Sequence, residues 1–174
     1  MTEKKRIEEA TAEGFVTAYN ALMRTSYRFD ALLDPPEPDA RCVDADGNSL
    51  CLEVTMSEDR PGDIKAQMGG SEDRSLQALK VHLDAVKAGK ASIFDRVSSS
   101  TGNAGISMIQ RLRSKLTKSC GPGVALVIRD TSGVDWDWDV VKETLVAGLD
   151  LSQNPYDRGI WILSRSKDRL FRLA

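Results

Sequence analysis

At 174 residues the chain is long enough to bury one substantial core and too short to require two domains. Its 24 basic and 26 acidic residues leave a net charge of −2, which excludes a global basic field, so any contact with nucleic acid has to rest on a local patch. No apolar run nears the roughly 20 residues of a membrane span, and the charged opening at 1–6 is unlike a secretory signal, so the cytoplasm is the expected compartment.

In chain order, residues 3–26 are predicted to form a helix. Phe15, Tyr19 and Leu22, with Val16 and Met23 beside them, give it an apolar stripe, and Glu8, Glu9 and Glu13 lie in its N-terminal half. Pro35, Pro36 and Pro38 force an extended approach to the next element. A hairpin follows, with strands at 39–44 and 49–56 around the turn signal Asp46-Gly47-Asn48. In its second strand Leu50, Leu52, Val54 and Met56 alternate with Cys51, Glu53 and Thr55, so one face is core and the other carries Glu53 and Thr55.

Residues 57–104 change character and read as an insertion within a single domain spanning 1–174. They comprise loop-like stretches around a helix at 72–88, end in the polar run 98–103, and hold few large apolar residues. A helix at 106–119, stopped by Gly121-Pro122-Gly123, leads to a strand at 124–129 apolar enough to be buried on both faces. A helix at 140–149, a buried strand at 159–163 and an edge strand at 170–173 complete an α/β protein with a mixed sheet. The acids around the alternating tryptophans, Asp137 and Asp139, are expected to cap the 140–149 helix.

Few residues point to chemistry. Cys42, Cys51 and Cys120 are odd in number and lack zinc-knuckle spacing, so core thiols are expected. His82 is the only histidine, which argues against a His-rich metal site or a Ser-His-Asp triad. Asp39 and Glu53 remain, on neighbouring strands, able to converge on one hard cation such as Mg²⁺. Were helices to cover both faces of the sheet, an unpaired Glu53 carboxylate would cost several kcal/mol, which a cation would remove. Singly, Pro38-Asp39 reads as a turn opening and Glu53-Val54-Thr55 as a solvated strand face; in combination they suggest a site.

Pro38-Asp39 and Glu53-Val54-Thr55, separated by a hairpin and preceded by a glutamate-bearing helix, resemble the PD-(D/E)XK nuclease superfamily, with its restriction-endonuclease-like fold. The resemblance extends to the helix with Gln110 and Lys115 and to the strand at 124–128, in the core order α-β-β-β-α-β. It implies a Mg²⁺-dependent (or Mn²⁺-dependent) endonuclease acting on nucleic acid, DNA before RNA. Asp39 and Glu53 would bind the metal, with the Val54 carbonyl and a helix glutamate, Glu13 first and Glu9 second, as further ligands. The motif lysine is replaced by Thr55, so Lys115, with Gln110 nearby, is expected to contact the scissile phosphate while Thr55 bonds a water on the metal. Arg111, Arg113 and Lys118 would form a phosphate-binding stripe. A homodimer would allow both strands to be cut. The alternative is a catalytically inactive member of the fold that binds nucleic acid or protein.

Overall fold

The Thr2 hydroxyl accepts the Lys5 amide and starts α1, Glu3–Met23. In this computed structural model the residues described are 2–57, 87–89, 108–109, 111–131, 138–164 and 169–174. The expected insertion, apart from Ser57 and 87–89, lies outside them, as do His82, Gln110 and Asp137. Helix α1 ends three residues short of its expected limit, because Arg24 turns left-handed (φ 56°) and its N–H caps the Asn20 carbonyl. The Asn20 side chain then holds the turn, accepting from the Tyr27 amide and donating to the Tyr27 carbonyl. Leu22 and Met23 therefore leave the apolar stripe and stand exposed.

Six strands follow: β1 (Arg28–Leu32), β2 (Ala40–Val43), β3 (Ser49–Met56), β4 (Val124–Arg129), β5 (Ile160–Leu163) and β6 (Leu170–Arg172). They lie side by side in chain order in one mixed sheet. β1, β2 and β3 form an antiparallel meander; β3, β4 and β5 run parallel; β6 returns antiparallel. Helix α2, helical at 108–109 and 111–116, lies between β3 and β4 in the chain, as a parallel crossover requires. Helix α3, Trp138–Gly148, precedes β5 and starts two residues before its expected boundary, so Asp139 falls in its first turn.

Two apolar clusters sandwich the sheet. On one face Ala12, Phe15, Val16 and Tyr19 of α1 meet Leu50, Leu52, Ala125, Val127, Trp161 and Leu163. On the other, Met108 and Leu112 of α2 and Trp138, Val141 and Leu145 of α3 cover Val124, Leu126, Ile128, Ile160 and Ile162. β4 is thus buried on both sides, which is why its sequence shows no alternation. Cys42 and Cys51 are free thiols and pack with opposite clusters, so they do not pair.

The start of β5 depends on one glycine. Gly159 has φ 89°, and a Cβ there would lie 2.7 Å from the Ala174 carbonyl oxygen. That same carbonyl accepts the Ile160 amide. Gly159→Ala is expected to cost about 2 kcal/mol or more through backbone strain and contact. Urea denaturation reads this directly, and an unchanged midpoint would contradict it.

Candidate functional site

Strand alternation decides which side chains can meet. Ala40 and Cys42 pack with Leu50 and Leu52 on the α1 side, so Asp39 and Glu53 belong to the α2 side. Extending the pairing of Ala40 with Leu52 by one residue sets Asp39 level with Glu53. Asp39 ends the ladder, and its Oδ2 accepts the Val54 amide N–H at 2.8 Å.

The Glu53 side chain is only 13% exposed, and its Oε1 accepts Lys115 Nζ at 2.5 Å and Lys118 Nζ at 2.7 Å. Burial pushes this carboxyl up, but the two ammoniums outweigh burial and hold it below its ordinary value. The same bond raises Lys118. The sign for stability follows: the contribution is present above the ordinary carboxyl value of 4.5 and is lost as pH falls through the lower folded value. Lys115 is placed by α2, whose last turn is held where the buried Tyr156 hydroxyl donates to the Lys115 carbonyl at 3.2 Å.

A second acid comes from the opposite layer. Glu8 of α1 is buried and pairs with Lys4 at 3.1 Å. Burial raises its carboxyl; Lys4 pulls it back, while Asp39 adds charge repulsion and a shared hydrogen bond that raise it further. Of the helix glutamates, it is therefore Glu8 that the fold turns towards Asp39. Glu9 is half-buried and Glu13 exposed. Ionising Glu8 costs stability as pH rises above its ordinary value of 4.5, opposite in sign to Glu53. Glu8→Gln is expected to raise stability at pH 7 by up to about 1 kcal/mol, with the gain fading near pH 4. Urea midpoints across pH 3–7 test this, and a loss of stability at pH 7 would contradict it.

Lys4 also feels Asp39 and Glu53, so three carboxylates and three ammoniums form one electrostatic unit. Beside it a cleft of about 320 Å³ is lined by Lys4, Glu8, Val54, Thr55, Met56, Arg111, Ser114 and Lys115. Arg111, Lys115 and Lys118 are spaced i, i+4 and i+7 and share one side of the helical path, the side facing β3. Arg111 Nη1 donates to the Met56 carbonyl at 2.5 Å. Arg113 falls on another side from Arg111 and Lys118 and donates to the Gly148 carbonyl of α3 at 3.2 Å.

Among the described residues no group of three or more His, Cys, Asp or Glu side chains is arranged to hold a metal ion. The donor chemistry still fits a hard divalent cation. Asp39 lies near enough to Glu8 to raise its carboxyl, and a cation between like charges would offset their repulsion. Mg²⁺ needs only one or two carboxylates, its remaining positions going to water and phosphate, so an open site suffices.

The chain matches no protein family, no curated protein and no solved structure.

Proposed function

We propose that this chain hydrolyses phosphodiester bonds in nucleic acid, on a core of restriction-endonuclease-like architecture. The observation that carries the reading is Lys115. The strand position two residues after Glu53 holds Thr55, which has no charge, and Lys115 arrives from α2 to put an ammonium on the same carboxylate. The element order supports it: a helix, three antiparallel strands, a crossover helix and a parallel strand.

In this reading Asp39, with Glu8 or Glu53 beside it, would hold a divalent cation, Mg²⁺ or Mn²⁺, whose remaining positions would go to water and phosphate. That cation, when bound, lowers the pKa of water and offsets charge developing on the phosphate. Lys115 contacts the scissile phosphate, and a lysine can do so from a neighbouring helix because its charge sits on a flexible four-carbon stem. Thr55 lies along the same cleft wall and orients water by hydrogen bonding. Arg111, one helical turn before Lys115, meets the next stretch of backbone.

The test is incubation of the purified chain with single- and double-stranded DNA and RNA, with Mg²⁺, Mn²⁺ or chelator. Cleavage that needs a divalent cation and disappears in both Asp39→Ala and Glu53→Ala is expected. Cleavage surviving both substitutions would place the activity elsewhere. Binding without cleavage would favour a second reading, a nucleic-acid-binding module, to which the double engagement of Glu53 by lysines also lends support.

A further inference from the structure

Arg129 is a charge that the fold half-buries and leaves without a counter-charge. It ends β4 opposite Met56 of β3, and its side chain reaches under α1. There its Nη1 donates to the Ile7 carbonyl at 3.2 Å and to the Thr11 hydroxyl at 3.1 Å. Among the described residues no carboxylate pairs with it, and burial, unopposed by any anion, lowers its pKa. A charge held in this way is costly, and a bound anion removes the cost.

The part of the guanidinium that remains has a definite shape. Arginine presents five N–H donors in a rigid fork. Nη1 directs its two to α1, which leaves Nε–H and both hydrogens of Nη2. The edge formed by Nε and Nη2 matches a carboxylate or phosphate bidentately. Among the described residues neither nitrogen has a protein partner, and neither is closed off from solvent. The Thr11 hydroxyl donates in turn to the Ile7 carbonyl at 2.6 Å, and Thr11 is fully buried, so the two acceptors of Nη1 are fixed and the open edge is preorganised.

The surroundings set the kind of ligand. Ile7 and Thr11 are buried, so the fork lies in a recess beside α1, which suits a compact end group better than a continuous backbone. Met56, opposite Arg129, and Glu8, next to Ile7, both line the cleft, so the recess adjoins it. A phosphate monoester carries close to two negative charges on three acceptor oxygens. It offsets the guanidinium and leaves charge for the exposed Lys4, one helical turn before Ile7.

We propose that Arg129 is the centre of an oxyanion-binding recess beside the cleft, and that its ligand is a phosphate monoester, free or at the end of a nucleic-acid strand. The recess uses neither Asp39 nor Glu53 and needs no metal. It goes beyond the nuclease reading and does not depend on it.

The experiment titrates inorganic phosphate calorimetrically into the full chain in the presence of chelator, for wild type, Arg129→Gln and Arg129→Lys, with urea midpoints to establish that each variant is folded. Wild type is expected to bind phosphate, and Arg129→Gln to bind it at least about tenfold more weakly, the loss of a charge-assisted bidentate pair. Arg129→Lys keeps the charge without the fork and should fall between the two, and it decides the matter if Arg129→Gln does not fold. Two single-stranded oligonucleotides, identical except for a 5′-phosphate, distinguish the source. Binding of the phosphorylated strand about tenfold tighter in wild type, with the preference lost in Arg129→Gln, would assign the recess to strand ends. Equal binding of the two strands, beside phosphate binding that needs Arg129, would assign it to free phosphate or a small phosphate monoester. Phosphate binding that is absent in wild type, or undiminished in both variants, would overturn the inference and leave the nuclease reading standing. Phosphate binding that needs Arg129, in a chain that neither binds nor cleaves nucleic acid, would do the reverse.

Discussion

Lys115→Ala is expected to slow cleavage by about 10²- to 10³-fold, the size of effect seen when one preorganised charged donor is removed from a reacting centre. The loss should fall on kcat with KM little changed, since a group that matters most where charge develops stabilises the transition state more than the bound substrate. The fold should survive. Lys118 still neutralises Glu53, and the Tyr156 hydroxyl reaches the backbone carbonyl of residue 115, which alanine keeps. A decisive variant adds Thr55→Lys to Lys115→Ala. Thr55 lies two residues beyond Glu53 on the same strand face and lines the same cleft as Lys115. Lysine there can return the ammonium from the strand side, and about tenfold or better recovery over Lys115→Ala is expected. Undiminished cleavage by Lys115→Ala would remove Lys115 from the mechanism. No recovery in the double variant would show that position 55 cannot serve in its place.

How much of this was legible in the sequence depended on whether the signal was periodic or positional. The unbroken run at 124–128 announced a strand buried on both faces, and the alternation through 49–56 put Glu53 and Thr55 on one side; both follow from burial alone. β1 carries little strand signal because it is an edge strand with Phe29 as its only large aromatic, and a register shift around Asp30 breaks its alternation. Helix phase distinguishes Glu8 from Glu9 and Glu13. Glu8, Ala12, Phe15 and Tyr19 are spaced i, i+4, i+7 and i+11, so Glu8 continues the buried stripe. A glutamate on a core stripe is the sharper signal. The same phase rule separates Arg111, Lys115 and Lys118 from Arg113. What no local pattern contains is how far along its axis α2 sits on the sheet. Both lysines meeting one oxygen of Glu53 across more than sixty residues follows from that offset, and so does the contact from Tyr156, which stands in an irregular loop.

The largest loss of stability is expected from Trp161→Ala, at about 4 kcal/mol, a large share of the roughly 5–15 kcal/mol that holds a domain of this kind. Trp161 is 1% exposed in the middle of β5. Its ring meets Tyr19 edge-on at 5.3 Å and Phe15 at 6.2 Å, so it is the surface on which α1 rests. Its Nε1 donates to the Arg158 carbonyl at 2.7 Å, a partner alanine cannot replace, and the Arg172 guanidinium lies 5.6 Å from the ring centroid. Cavity, lost aromatic pairs and an orphaned carbonyl act together, and urea unfolding should show a midpoint shift to match. A cost below about 1 kcal/mol would mean that α1 is held elsewhere. The consequence reaches the site by a defined route. The opposite end of α1 carries Glu8, and near it Arg129 of β4 donates to the Ile7 carbonyl at 3.2 Å and the Thr11 hydroxyl at 3.1 Å. If that polar tie suffices to keep Glu8 beside Asp39, Trp161→Ala will lose stability yet retain Mn²⁺ affinity at low temperature, whereas Arg129→Met will weaken Mn²⁺ binding at a smaller cost in stability. Calorimetric titration of both variants below their unfolding transitions separates the element that holds the helix from the residue that aims it.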